Sequence, residues 1–390
     1  MNSSRKKTTA RERVTRKPSI VRSRTLIIGN TKGGVSKTTL SSSIAYEAAR
    51  LGLTVCVADS DSGFSSVTGT FAGRYIHPET GQTLEVKSLA DAVRRGEDAP
   101  FYPVPAWTPD PNVPWLKGGP AIPGGKIFIS PAAAETDREN LTSVVSESGG
   151  IEEMRLMNAL ETEWVRENAD LVIIDMPGIR LTPLISSMLH AAEHVIFPFY
   201  PEWLAHEELA KFDEIIGAWE SAHGKPINFL GAIPTSIPLN LKRAPGERRI
   251  ITESAKWLDE TFGDSVGVIA PGIERRKAFA RSQEFAIPIS TYTRTQIERR
   301  DVGTIPAALA KTALTVLSKM LPKEDDPTTS NRVNYDIGAM REALIAQEMP
   351  DEWRAIIEGP DFIDWKADWL AHDLDDTEDT DTDTKTEEQS

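Results

Sequence analysis

Cysteine is nearly absent from this chain: its 390 residues contain one, Cys56. One thiol cannot close a disulfide within the monomer, complete a cysteine-based zinc site or hold an iron–sulfur cluster. Its setting, Leu53-Thr54-Val55-Cys56-Val57-Ala58, reads as a small core residue on a buried strand. Long hydrophobic runs are missing too, and no apolar segment approaches the ~20 residues needed to span a bilayer. The basic N-terminus has no apolar h-region, so it does not read as a secretory signal. No amphipathic apolar face accompanies its charges, as an organellar transit peptide would require. The expected location is the cytoplasm.

Positive charge is in deficit, with 44 Lys+Arg against 58 Asp+Glu and a net charge of −14. The average conceals an asymmetry. Residues 1–24 carry Arg5, Lys6, Lys7, Arg11, Arg13, Arg16, Lys17, Arg22 and Arg24 against Glu12 alone, while the last twenty residues are Asp/Glu-rich around Lys385. These ends offset each other, so the part between them is itself acidic. Such a chain does not coat DNA through its general charge, and any nucleic-acid contact must come from local basic patches.

What is present is a 39% hydrophobic, 26% charged composition ordinary for a globular protein. Residues 1–24 read as a disordered basic arm. From Thr25, short apolar runs alternate with amphipathic stretches: strands at Thr25–Ile28, Leu53–Ala58, Ile127–Ile129, Leu171–Ile174, His194–Phe197, Ile227–Ile233 and Val266–Ile269, with helices at about 37–50, 151–168, 202–222 and 249–262. Doubly buried strands alternating with helices predict an α/β fold, a mainly parallel twisted sheet with helices on both faces. The main domain is expected over 25–320, with a Pro/Gly-rich insertion at about 100–126 that carries Trp107 and Trp115. A linker follows at 321–334, then a helical segment at 335–370 with Trp353, Trp365 and Trp369, and a low-complexity acidic tail from 371.

The segment Gly29-Asn30-Thr31-Lys32-Gly33-Gly34-Val35-Ser36-Lys37-Thr38-Thr39 leaves a strand and opens a helix. A Gly-rich turn in that context lets backbone N–H groups from Gly33 to Thr39 converge on phosphate oxygens, with the helix N-terminus adding positive potential. It reads as a P-loop: Lys37 reaches the β- and γ-phosphates of ATP and the Thr38 hydroxyl ligates Mg²⁺. The bland reading, a glycine turn with no ligand, does not account for the Lys-Thr pair at the helix start. Two carboxylate motifs follow. Asp59-Ser60-Asp61 lies at the end of the second strand, the edge of a parallel sheet where ligands bind. Leu171–Ile174 then runs into Asp175, four apolar residues ending in a carboxylate, the Walker B form that holds Mg²⁺ through water.

The order Lys32-Gly33-Gly34-Val35-Ser36-Lys37-Thr38 departs from the ordinary spacing and resembles the deviant Walker A motif of the ParA/MinD family of ATPases. The resemblance covers roughly 24–320, and His194–Pro201 and Arg275–Arg281 with Ala286–Ile289 also look like family segments. It implies that Lys32 reaches across an ATP-closed homodimer to the partner's nucleotide. It implies that Asp61 orients the attacking water and that Asp59 lies near the metal. Relatives carry DNA-binding arginines where this chain has Arg275, Arg276, Lys277 and Arg281, so the resemblance implies non-specific binding to double-stranded DNA, a nucleoid-associated ATP state and a ParB-like activator, in plasmid or chromosome partition. Two departures stand out. Ser36 occupies a position usually held by Gly, and Ser62-Gly63 replaces the family's Pro-Gln.

Other roles on the same fold stay open: a conjugative-transfer accessory ATPase, a MinD-like positioning ATPase, or a weakly hydrolysing nucleotide-dependent scaffold. The MinD-like reading expects a basic amphipathic C-terminal helix on anionic lipid, whereas this chain ends in Asp/Glu, so no membrane partner is expected. Nitrogenase-type and iron–sulfur-carrier relatives need cysteines that the chain lacks.

Overall fold

Apolar residues on the central strands point alternately to two faces, and both faces are covered. In the computed structural model the described residues are 24–30, 32–61, 67–68, 87–104, 127–132, 154–177, 183–238, 243–263, 265–277, 279, 289, 303–320, 336–346 and 349–366. Their strands are β1 (Thr25–Ile28), β2 (Val55–Asp59), β3 (Tyr102–Pro103), β4 (Ile127–Ser130), β5 (Leu171–Asp175), β6 (His194–Phe199), β7 (Asn228–Ile237) and β8 (Ile273–Glu274). They form one sheet in the order β3-β4-β2-β5-β1-β6-β7-β8. Every neighbouring pair is parallel except β3 on β4.

The helices are α1 (Lys37–Arg50), α2 (Leu89–Arg95), α3 (Arg155–Leu160), α4 (Glu163–Asn168), α5 (Pro183–Ala191), α6 (Ala205–His223), α7 (Pro245–Phe262), α8 (Ile305–Met320), α9 (Ile337–Ile345) and α10 (Asp351–Glu358). Leu26 and Ile28 of β1 join a core with α1 and α8, while Ile27 between them joins a second core with α2, α3, α5, α6 and α7. This period-two division between two helical layers is the expected α/β architecture. Cys56 is buried, beside Val165, Ala169 and Val172.

Three sequence expectations are corrected. The helix expected over 151–168 is two helices, because the Thr162 side chain accepts a hydrogen bond from the Val165 N–H and starts a new one. Val266–Ile269 forms no strand, only the isolated bridges Ala232 to Val268 and Ile269 to Phe362. There Gly231 (φ +145°) lets the two backbones approach closely, a Cβ having no room beside the Gly267 carbonyl, and the bonds Ala232 N–H to Gly267 O and Ile269 N–H to Ala232 O make one bridge and no ladder. Arg24, assigned to the basic arm, belongs to the folded domain: it is buried and donates to the Ala169 carbonyl at 3.2 Å. Residues 1–23 of that arm, most of the 100–126 insertion, the 321–334 linker, Trp369 and the acidic tail lie outside the described residues.

The segment 336–366 packs against α8. Buried Lys311 reaches from α8 to the Asp361 carboxylate (2.6 Å) and donates to the carbonyls of Gly359 (2.6 Å) and Ile357 (3.1 Å). Arg341 adds a second bond to Asp361 at 3.1 Å. Backbone bonds Ile363 N–H to Val268 O and Ala270 N–H to Asp361 O place Phe362 beside Gly231 and Gly267. Two of the segment's tryptophans donate indole hydrogen bonds, Trp353 to the Gly303 carbonyl and Trp365 to Asp259, both at 3.1 Å.

Candidate functional site

The site lies at the C-terminal ends of β1, β2 and β5. Parallel pairing puts Asp59 of β2 directly beside Asp175 of β5 in register, and β1 between β5 and β6 delivers the phosphate loop to the same edge. Asn30 fastens the start of that loop: its amide donates to the Pro198 carbonyl at 2.7 Å and its side-chain oxygen accepts from the Lys32 N–H at 2.8 Å. Thr235 fastens the far side, its buried hydroxyl lying 3.1 Å from the Phe199 carbonyl and 3.3 Å from that of Val35.

Within the loop Gly33 and Gly34 are exposed, and Gly34 takes φ +80°. Val35 is buried below them. Ser36 is the N-cap of α1 at φ 65°, ψ 24°, the left-handed region that a glycine adopts freely and a serine does not, and its side chain makes no capping bond. Lys37 is buried, and its ammonium donates to the Lys32 carbonyl at 2.7 Å, closing a ring around the open loop. Burial pushes its pKa down, while Asp175 and Asp61 hold it up. Thr39 follows Thr38 on the first turn, half-exposed.

Asp175 is fully buried and both its oxygens are taken: Thr38 donates to one at 2.9 Å and Ser41 to the other at 2.7 Å. Burial pushes its pKa up to about 7, and Asp59 and, less, Asp61 add to the rise against those two hydroxyl bonds. Asp59 is also buried; it accepts from the Asp61 N–H at 3.1 Å and from the backbone and hydroxyl of Thr68. Asp61 is half-exposed beside them. Asp59 and Asp175 lie side by side with Asp61 next to them, and Thr38 at the start of α1 bonds Asp175, so these oxygens fit Mg²⁺ held jointly with phosphate oxygens. Among the described residues no group of three or more His, Cys, Asp or Glu is placed to hold a metal without such help.

Lys32 turns away from this cluster. Its ammonium pairs with Glu202 at 2.8 Å and Glu208 at 3.4 Å, on the turn after β6 and the first turn of α6. The hydrogen bond that it donates to Glu202 is the main cause of its raised pKa. Of the basic residues near β8, Arg275 and Lys277 are exposed. Arg276 is not: it pairs with Glu274 at 2.7 Å, and its guanidinium lies against Gly303. Thr31, Ser62, Gly63 and Arg281 are outside the described residues.

The model of the CbiA family, described as the CobQ/CobB/MinD/ParA nucleotide binding domain, matches residues 26–289, from β1 through the phosphate loop and both carboxylate-bearing strands. The chain belongs to this family. The fold of the CobQ/CobB/MinD/ParA domain is seen again in solved structures. Cyanothece McdA in complex with ATP is 18% identical, with a TM-score of 0.53 over 76% of this chain and 97% of that one. A plasmid partition protein of Borrelia burgdorferi B31 bound to AMPPNP is 17% identical, with a TM-score of 0.50 over 78% and 98%. At these identities the likeness speaks for the fold. No curated protein matches the sequence significantly.

The sequence pattern singled out Lys32, Lys37, Thr38, Asp59, Asp61 and Asp175, and the structure brings all of them but the Lys32 side chain to one edge of the sheet. It missed Asn30, Ser41, Thr235 and the glutamates facing Lys32. Only Ser41 had a local signal, since it lies one helical turn after Thr38 on α1.

Proposed function

We propose that the chain is a Mg²⁺-dependent ATPase of the partition type: two copies close on ATP, the closed dimer holds DNA without regard to sequence, and a ParB-like activator promotes hydrolysis and release. The observation that carries the reading is the convergence of Lys37, Thr38, Asp61 and Asp175 on one open, Gly-lined loop, with Lys32 turned outward from it. Phosphate oxygens of ATP take the loop N–H groups, and Lys37 exchanges the Lys32 carbonyl for the β/γ oxygens. Thr38, with Asp175 and Asp59 beside it, would hold Mg²⁺, which would supply charge neutralisation at those oxygens. Asp61 orients a water in line with the γ-phosphorus; the water oxygen bonds to phosphorus as the bond to the β–γ bridging oxygen breaks, the water gives up a proton to the departing phosphate, and ADP and phosphate leave. Turnover is slow until an activator completes the site.

Steady-state turnover and nucleotide affinity of Lys37→Ala and Asp61→Ala test the chemistry. Lys37→Ala is expected to lose nucleotide binding. Asp61→Ala should keep it and lose ~100-fold or more in turnover; unchanged turnover would remove Asp61 from the mechanism. For DNA, Arg275 and Lys277 are the exposed pair to test, alongside the basic arm. Binding to unrelated duplexes should require ATP and fall in Lys32→Ala and in Arg275→Ala/Lys277→Ala. If ~4 phosphates are neutralised, raising salt from ~50 to ~200 mM should cost roughly two orders of magnitude in affinity. Binding that ignores nucleotide would assign DNA contact to the arm alone.

A further inference from the structure

Residues 336–366 follow the family match, which ends at 289, and they do more than cover α8. That cover comes from Leu344 and Ile357. A separate attachment lies at 361–363, which runs antiparallel to 268–270. The Ala270 N–H donates to the Asp361 carbonyl at 3.0 Å, the Ile363 N–H donates to the Val268 carbonyl at 2.8 Å, and Ile269 and Phe362 form a bridge between these bonds. The Phe362 ring lies across two glycines: a Cβ on Gly267 would stand 3.1 Å from it, and one on Gly231 3.4 Å. The Lys319 ammonium, bonded to the Ser265 carbonyl at 2.6 Å, sits 4.6 Å from the ring centroid. A side chain larger than glycine at either position would displace the ring, so the fit is specific to an aromatic residue on bare backbone.

The backbone under this attachment leads to the phosphate loop. After Ala270 the chain turns at Gly272 (φ +82°), where a Cβ would stand 2.8 Å from Pro234 Cγ. It then enters β8, with Ile273 paired to Thr235 and Glu274 to Ile237 of β7. Thr235 is the residue whose hydroxyl lies 3.3 Å from the Val35 carbonyl. That carbonyl and the Ser36 N–H belong to one planar peptide unit, so holding the first fixes the direction of the second, a loop donor for phosphate. The far end of the stretch is gripped as well. Arg276 pairs with Glu274 at 2.7 Å and lies against Gly303, whose carbonyl accepts the Trp353 indole N–H at 3.1 Å. Residues 353–363 thus hold 268–276 at both ends. Asp59 and Asp175 stand on β2 and β5, on the far side of β1 from β8 in the sheet.

We propose that Phe362 and Trp353 are positioning residues for nucleotide binding: they seat 268–276 against β7, and through Thr235 this stretch fixes Val35 and the loop N–H groups that meet the phosphates. This rests on the ATPase reading above and gives the segment beyond the family match a part in it. The route is a chain of contiguous packed and hydrogen-bonded groups, the physical means by which a distant side chain acts on a site. It reaches the loop and leaves the carboxylates on β2 and β5 in place. Loss of either aromatic residue should therefore weaken nucleotide binding and spare turnover at saturation.

The test uses the full chain: wild type, Phe362→Ala, Phe362→Leu, Trp353→Phe and, as a control in the cover of α8, Leu344→Ala. Affinity for a fluorescent ATP analogue with Mg²⁺ is measured well below each thermal transition, and KM and kcat are measured beside it. Phe362→Ala should bind ~3–10-fold more weakly, with KM raised to match and kcat within about twofold of the wild type. Phe362→Leu, which keeps an apolar side chain over the glycines, should recover most of the affinity. Trp353→Phe, which removes the indole N–H and keeps a ring, should show a smaller loss of the same kind. Leu344→Ala should lower the thermal transition and keep the wild-type affinity. Wild-type affinity in Phe362→Ala overturns the proposal, as does an equal loss in Leu344→Ala, which would mean that the segment acts through overall stability alone. If Phe362→Ala does not fold, Trp353→Phe decides, and wild-type affinity there overturns the proposal. A wild type that binds no nucleotide overturns the ATPase reading itself and this inference with it.

Discussion

At the scale of single residues, the phosphate loop contains one strained position and one costly charge. Holding a non-glycine residue in the left-handed region costs ~1–2 kcal/mol, and Ser36 stands there at φ 65°. Glycine removes that cost but gives back about 0.4–1 kcal/mol through a more flexible unfolded chain. Ser36→Gly should therefore stabilise the nucleotide-free protein by about 0.5–1 kcal/mol, read by denaturant unfolding. Asp175 is the charge. Its pKa is raised from 3.8 to about 7 by burial and by Asp59, so the folded state takes up a proton that the unfolded state releases. Stability without metal should fall as pH rises through that interval, being lower near pH 8 than near pH 6. Asp175→Asn should flatten this dependence and raise the nucleotide-free unfolding midpoint at about pH 8, while lowering Mg²⁺-dependent turnover by ~10–100-fold or more. A midpoint insensitive to pH in the wild type would contradict the buried-charge account.

At the scale of elements, α8 is the hinge between the family domain and the segment that follows it. Lys311 is fully buried while its partner Asp361 is 34% exposed and also held by Arg341. Breaking a fully buried pair costs ~3–5 kcal/mol; with Asp361 partly solvated and still paired, Lys311→Met should cost about 2 kcal/mol. Hydrogen exchange should rise first in α9 and α10; exchange that rises uniformly would refute a local clasp. Burial alone would raise the Asp361 carboxyl, but Lys311 and Arg341 outweigh it and hold its pKa below the usual carboxylate range. A depressed acid stabilises the fold above its unfolded pKa, so the clasp should loosen only as pH falls below about 4. None of this was legible in the sequence. A lysine in an otherwise apolar helix reads locally as a solvated charge, and its partner lies 50 positions away in the chain. The strand–loop–helix at Thr25–Arg50 and the strand ending in Asp175 were legible because their signals are local in spacing. Val266–Ile269 misled for the converse reason: four residues suited to a strand meet β7 at the single bridge Ala232 to Val268, and a strand is made by its partner's pairing and not by its own composition.

At the scale of the whole molecule, the described residues of 336–366 complete the core instead of trailing from it. Ala307, Ala310 and Leu314 of α8 are covered by Leu344 and Ile357 of that segment. A chain ended after Met320 should expose this face, together with the Gly231–Gly267 surface under Phe362, and should aggregate or lose its cooperative thermal transition. Retention of a sharp transition at the full-length midpoint would show that the segment is dispensable for folding. The eight-stranded sheet has a further consequence in its margins. Among the described residues one margin is β3, two residues of which the second is Pro103, and the other is β8, also two residues long. A proline offers no N–H to an incoming strand, and two-residue margins give a templating peptide almost no register to copy. These two margins should therefore resist templating of cross-β fibrils at high concentration, so that a polymer growing through them would have to stack whole subunits without a hydrogen-bonded ribbon from β3 or β8.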